Sequence, residues 1–305
     1  MDPEFVAKTA QIASVLEVSG YPKPGNVHRT HDFDDMIFED FLISGVVIGD
    51  TMKETAERGL KYCRSESLPK IELGKLIKTA VSQTNKWIAN NTNLGIVMLL
   101  TPIAAAAGMS SNLVQLKDNI SRIMDSTTPQ DAANLYDAIN IADAGGMGER
   151  DDLDVGNDSA KDELLEKGIN MFQVLDISSG WDMLSYELTN GMPISFETGF
   201  PVFRGVKPAH GTNSATVQTF LTILSRYPDT LISRKYGKKR AENVSGDAKA
   251  VLDEGGILGS DGFSRVARFD EKLVQNRLNP GTTADLTASS IMIALLEEFG
   301  NLGSE

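Results

Sequence analysis

The chain has 305 residues, 41% of them apolar and 23% charged, which is ordinary for a soluble globule and enough for a sizeable core. A formal charge of -13 and a pI near 4.8 argue against nucleic acid or an anionic membrane surface as the main partner, because both would be repelled at long range. The single cysteine, Cys63, excludes an internal disulfide and any zinc site of several thiolates, and fits a reducing cytoplasm.

Met1-Asp2-Pro3-Glu4-Phe5 reads like a translated cloning linker, so residues 1–5 are expected to stand outside a single helical domain over 6–305. Apolar spacing of three and four then predicts helices over about 6–19, 34–62, 70–89, 93–108, 111–124, 129–143, 160–188, 211–225, 229–235, 240–254, 262–276 and 283–299. The fold class is therefore all-α: a compact, bundle-like domain of about ten to twelve helices with little or no sheet. Gly45 and Gly49 in the pattern 34–62 would let a second helix approach closely. Thr128-Pro129-Gln130-Asp131 is an ordered helix start, with a cap, an N1 proline and an early carboxylate. Leu94 to Gly108 is the most apolar run but is too short to span a bilayer, and it reads as a buried helix. Residues 194–204 alternate weakly, with Gly199 and Pro201 interrupting. The stretch 144–159 carries Gly145, Gly146 and Gly148 and then five acids, as expected of a mobile acidic loop or a solvated linker.

The densest chemistry lies between Gly20 and Met36. Pro22 and Pro24 stiffen the turn that carries Lys23, and Gly25 allows backbone amides to approach an anion. His28, His31, Asp32, Asp34 and Asp35 follow at once, a ligand density that capping explains only in part. Asn90, Asn91 and Asn93 stand before the apolar helix, where amides and a helix start could receive phosphate or a base edge, or where Thr92 or Asn93 is simply a cap. Glu197 sits between Phe196 and Phe200, as a desolvated base or an exposed turn acid. Arg234, Lys235, Lys238, Lys239 and Arg240 form the one basic cluster, a polyphosphate grip or a solvated helix face. Asn279-Pro280-Gly281 turns into a helix with Asp285 in its first turn, placed for a metal or for the helix dipole.

Taken in order, Lys23-Pro24-Gly25 with its His/Asp run, Asn91-Thr92 with Gly95, Glu197-Thr-Gly-Phe-Pro, Asp229-Thr…Arg234-Lys235-Tyr-Gly and Asn279-Pro-Gly…Ala284-Asp285-Leu286 resemble the triphosphoribosyl-dephospho-CoA synthases over nearly the whole chain. Two stretches depart from that pattern. The family's Lys-Pro-Gly-Leu-Val-Asp and Ala-His-x-Asp-Met-Asp read here Lys23-Pro-Gly-Asn-Val-His28 and Thr30-His31-Asp-Phe-Asp-Asp35, and its Asn-Thr-His-Lys-Gly reads Asn91-Thr-Asn-Leu-Gly95.

The resemblance implies an ATP-using transferase that joins the ATP ribose C1 to the 2′-hydroxyl of 3′-dephospho-CoA and releases adenine, with Mg2+ as cofactor and small molecules as partners. It implies Glu197, Asp35 and Lys23 as catalytic groups, and Lys23, Gly25, Asn26, Asn91, Asn93, Arg234 and Lys235 as the nucleotide and phosphate grip. Asp32, Asp35 and Asp285 would be the metal ligands, with His28 and His31 as further ones. A homodimer is a further expectation. A metal-dependent phosphohydrolase or phosphotransferase and a non-catalytic nucleotide-binding relative are the alternatives that the departures leave open.

Overall fold

The computed structural model describes residues 1–34, 36–88, 93–142 and 160–300. Among these the chain is helical, with no strand beyond one backbone bridge between His28 and His31. The all-α expectation therefore holds, but the helices run to α15, beyond the ten to twelve expected. The surplus arises because periodicity does not register short breaks. The pattern 160–188 is three helices, α8 (Ala160–Lys167), α9 (Met171–Ser178) and α10 (Met183–Thr189). Gly168 with φ 67° and the side-chain caps Asn170 and Asp182 separate them. The pattern 34–62 starts later, as α2 (Phe38–Val47), and is interrupted at Ile48 before α3 (Gly49–Lys61).

Contacts divide the chain into two compact units, one of Met1–Ile12, Ile43–Met192 and Leu295–Glu305, the other of Ala13–Leu42 and Pro193–Ala294. Helix α1 (Pro3–Ser19) contributes its first residues to the first unit and Ala13–Ser19 to the second, and it takes in residues set aside by the sequence reading, because Asp2 Oδ2 accepts the Phe5 N–H at 2.9 Å and starts the helix early. The core of the first unit is α5 (Leu94–Gly108), nearly all of whose side chains are buried, and no single described helix is long and apolar enough to cross a membrane.

Close approach is set by glycines that the spacing did not single out. A methyl on Gly59 of α3 would stand 1.9 Å from the Ala105 carbonyl oxygen of α5, and one on Gly108 would stand 2.2 Å from that of Ala56. Gly49, which the pattern did single out, faces the Gln11 side chain of α1. Helix α4 (Leu73–Asn85) packs on α7 (Pro129–Ile141), and the capping box expected at Thr128 is formed. Its Asp131 also accepts the Gly74 N–H at 2.9 Å, so one buried carboxylate caps two helices.

Asp137 of α7 receives Lys78 of α4 and Lys161 of α8, each at 2.8 Å. Burial alone would raise its carboxyl pKa, but the two lysines prevail and hold it below its ordinary 3.8. A lowered acid stabilises the fold above the unfolded pKa and loses that contribution as pH falls through the folded value. Asp137→Asn is thus expected to cost about 0.5–1 kcal/mol at neutral pH and to flatten the acid limb of stability below about pH 4. Urea midpoints at pH 7 and pH 3 check it; equal losses at both would count against the ion pairs.

In the second unit, residues 194–204 are not strand-like. Ile194–Gly199 is a π-helical turn that leads into α11 (Phe200–Arg226), and Pro201 lies in that helix's first turn, where its missing N–H costs nothing. A break at Gly211 (φ 77°, ψ 169°) divides α11, and its second half carries Val217, Phe220, Leu221 and Leu224 into the core. There they meet residues of α12 (Thr230–Tyr236), α13 (Lys238–Asp253) and α14 (Gly262–Gln275), with Ala284 of α15 (Gly281–Phe299).

Candidate functional site

The second unit brings together motifs that lie far apart in sequence, and the first turns of α15 are where they meet. Gly20 ends α1 with its N–H on the Glu17 carbonyl at 3.1 Å. The turn that follows is pinned to α11 by Asn213, whose amide accepts the Tyr21 N–H at 2.9 Å and donates to the Tyr21 carbonyl at 2.6 Å. Gly25 adopts φ 71°, and a side chain there would strike the Leu278 carbonyl oxygen at 2.3 Å, so the turn presses on the residue just before Asn279-Pro-Gly. Asn26 donates to Asn279 Oδ1 at 2.8 Å and joins the Lys-Pro-Gly turn directly to the Asn-Pro-Gly turn.

Asp229 makes the next link. Its carboxylate caps α12 through the Ile232 N–H at 3.1 Å and accepts both the N–H and the hydroxyl of Thr283 at 2.8 Å. Burial pushes the Asp229 carboxyl up, against those donors. Further along α15, Ser289 bonds Ser195 of the π turn at 2.6 Å, and the Ser290 hydroxyl lies where a Gly199 methyl would be, 1.9 Å away. Two sequence motifs therefore dock on one helix that also carries Asp285, and the Lys-Pro-Gly turn docks on the turn that leads into it.

Lys23 does not project from its turn. It is wholly buried, and its ammonium donates to Glu17 Oε1 at 2.5 Å and to the Glu17 carbonyl at 3.1 Å. Burial pushes Lys23 down and Glu17 up, while the ion pair opposes both shifts. The carboxylates of Asp285 and Asp270 add negative field at the lysine. Lys23 is thus the positive centre of a buried acidic group, and it braces the turn against α1.

Asp270 of α14 organises the other side. Its Oδ1 accepts the Gly25 N–H at 2.8 Å and its Oδ2 accepts His28 Nε2–H at 2.9 Å. His28 Nδ1 faces the Thr30 N–H at 3.4 Å and the Thr30 hydroxyl at 3.2 Å, so both ring nitrogens are engaged.

Neither Glu17 nor Asp270 was found by sequence reasoning. Asp270 left a signal, because Val266, Phe269, Asp270 and Leu273 share the apolar face of α14, where an acid demands a partner. Glu17 left none beyond its place one turn before the Lys-Pro-Gly segment.

The other expected site residues fall as follows. Glu197 is exposed on the π turn, so it is not desolvated between the flanking phenylalanines. Arg234 and Lys235 are exposed in the last turn of α12, and Lys238, Lys239 and Arg240 are exposed at the start of α13. Asn93 belongs to the first unit, where it is buried and donates to Thr84 Oγ1 at 3.0 Å. Asp35, Asn91 and the acidic stretch 144–159 lie outside the described residues.

Of the expected magnesium ligands Asp32, Asp35, Asp285, His28 and His31, Asp35 lies outside the described residues and the two histidines do not suit the ion. Mg2+ takes oxygen ligands in octahedral geometry, whereas both His28 nitrogens are engaged, and Oδ1 of exposed Asp32 accepts the Phe38 N–H at 2.7 Å at the start of α2. Among the described residues no group of three or more His, Cys, Asp or Glu could hold a metal ion.

An all-helical enzyme scaffold, with several separate motifs gathered on one helix and the turn before it, is the class that fold and site define. The chain belongs to the CitG family, ATP:dephospho-CoA triphosphoribosyl transferase, whose model matches residues 3–303. The protein named 2-(5''-triphosphoribosyl)-3'-dephosphocoenzyme-A synthase from Klebsiella pneumoniae is 24% identical over 94% of this chain and 89% of its own length. One named a probable synthase of the same kind from Streptococcus equi subsp. zooepidemicus is 23% identical over 96% of each. A third, from Pseudomonas fluorescens, is 30% identical, but the match spans only 37% of this chain and 39% of that protein. The fold is similar to a crystal structure from Archaeoglobus fulgidus assigned to triphosphoribosyl-dephospho-CoA synthase, with a TM-score of 0.67, 23% identity, and coverage of 85% of this chain and 99% of that one.

Proposed function

We propose that this enzyme transfers the triphosphoribosyl group of ATP to the 2′-hydroxyl of 3′-dephospho-CoA and releases adenine. The observation that carries the reading is the family match over residues 3–303. In this reaction the bond between ribose C1 and adenine breaks, a bond from C1 to the acceptor oxygen forms, the hydroxyl proton goes to a base, and adenine leaves protonated. The charge that develops at C1 is met by a fixed carboxylate. Asp285, half-buried in the first turn of α15 and within the field of buried Lys23, is suited to that part.

In this reading exposed Arg234 and Lys235 grip the triphosphate, and exposed Glu197 takes the acceptor proton. Asn26 serves the same grip indirectly, by holding the Lys-Pro-Gly turn on Asn279. Magnesium belongs to this reading as a companion of the triphosphate, whose own oxygens supply hard ligands. Small-molecule substrates in the cytoplasm are consistent with the acidic surface and the lone cysteine.

Liquid chromatography of ATP incubated with the protein tests the reaction. Free adenine should form only when dephospho-CoA is present. ADP, AMP or phosphate without adenine would replace this reading with phosphoryl transfer or hydrolysis.

A further inference from the structure

Asp229 has no part in the chemistry above, yet it is wholly buried and receives more bonds than a helix cap needs. Capping α12 takes one acceptor oxygen, and the Ile232 N–H uses Oδ1 for it at 3.1 Å. The other oxygen, Oδ2, is given to α15, where the Thr283 N–H and hydroxyl both reach it at 2.8 Å. The next residue repeats the link, since the Thr230 hydroxyl donates to Thr282 Oγ1 at 3.1 Å. At the far end of α12 the Tyr236 hydroxyl donates to the Arg277 carbonyl at 2.9 Å, four residues before α15 begins. Helix α12 is thus fastened at one end to the start of α15 and at the other to the turn that leads into it.

The fastening has a register. Asp285 lies three residues after Thr282 and four before Ser289, so the three share one stripe of α15. Helix α12, which carries Arg234 and Lys235, docks about one turn to one side of Asp285. The π turn, which carries Glu197, docks through Ser195 on Ser289 about one turn to the other side. A neutral serine would cap α12 without the desolvation that a buried carboxylate incurs; what the carboxylate adds is a second oxygen for a second helix.

We propose that Asp229 is a positioning residue for the transfer: by holding α12 on α15 it sets the distance between the Arg234–Lys235 pair and Asp285. The inference rests on the roles given to those three residues in the proposed reaction. Asp229 itself touches neither substrate and acts only through the two helices it joins.

Asp229→Asn tests it, because an amide offers one acceptor and one donor, and whichever way it turns either the α12 cap or the tie to Thr283 is lost. ATP affinity by calorimetry should stay near wild type, since Arg234 and Lys235 remain on α12. The kcat for adenine release should fall about 10- to 100-fold, as misplacement approaching 1 Å does. Combined with Arg234→Ala, the two losses should fall short of their product, because Asp229 acts through the cation that the second change removes. Thr283→Val deletes the hydroxyl and keeps the shape, and should lose several-fold in kcat; Thr283→Ser should recover it. That pair carries the test if Asp229→Asn does not fold.

Spin labels at Lys235→Cys and Glu271→Cys, two exposed positions, in a Cys63→Ser background read the place of α12 without reference to activity. Asp229→Asn should shift or broaden their separation. A wild-type separation overturns the inference, and so do kcat losses that multiply fully with Arg234→Ala. A lower thermal midpoint with kcat per folded molecule unchanged overturns it too, because Asp229 then only stabilises the fold. If the wild-type protein releases no adenine while the separation still shifts in Asp229→Asn, the transfer reading fails and the placement of α12 by Asp229 stands.

Discussion

Lys23→Met is expected to destabilise the protein by about 3–5 kcal/mol at neutral pH, because it strands Glu17 as a buried, unpaired carboxylate. Both side chains lie almost wholly inside, 2.5 Å apart, so water cannot replace the lost ammonium. Glu17 can escape only by taking up a proton. Burial already pushes its pKa above 4.5, and deleting Lys23 removes the group that opposes that shift. An acid whose folded pKa is raised stabilises the fold below the unfolded pKa and loses that contribution as pH rises through the folded value. The deficit of Lys23→Met should therefore be small near pH 4.5 and grow toward pH 8.

Glu17→Gln should behave in the opposite sense. It leaves a buried ammonium whose pKa burial holds below 10.5, so its deficit should shrink as pH rises toward the alkaline range. The double change Lys23→Met with Glu17→Leu removes both charges and should recover most of the loss. Urea midpoints of the three variants at pH 5 and pH 8 decide the matter. A Lys23→Met midpoint equal to wild type at pH 8 would mean that Lys23 does not brace the turn.

Gly25→Ala is the second large effect. The new methyl would stand 2.3 Å from the Leu278 carbonyl oxygen and 2.7 Å from Leu273 Cβ, on a backbone at φ 71°. Left-handed strain costs about 1–3 kcal/mol and forced displacement in a packed site about as much again, so a total of about 2–5 kcal/mol is expected. Function should fall further than stability. Moving Gly25 withdraws its N–H from Asp270, which also holds His28, and shifts the Lys-Pro-Gly turn off Asn279. A displacement near 1 Å in such a frame costs about 100-fold in turnover. Thermal midpoint and adenine release measured on one preparation check both parts; near-normal values for both would show that the turn does not press on Leu278.

What the sequence made legible is local. Thr128 to Asp131 announced a capping box, and the run from Leu94 announced a buried helix. What it hid depends on contacts between distant residues. A proline-stiffened turn can aim Lys23 outward or inward with equal local comfort; Glu17 at the end of α1 decides the direction. The residues 194–199 read as weak alternation because nothing local shows that Gly199 must lie on Ser290. Glycine spacing suggested Gly45 and Gly49 as a crossing point, whereas the α3 and α5 backbones meet at Gly59 and Gly108. The order of the motifs along the chain carried the family, because several weak motifs in sequence are more specific than any one of them.

Intact-mass analysis of the acceptor tests the central claim most directly. Dephospho-CoA incubated with ATP and the protein should gain one whole triphosphoribosyl group, with one adenine released for each product formed. An acceptor of unchanged mass, or one that gains phosphate alone while ADP accumulates, would contradict the account.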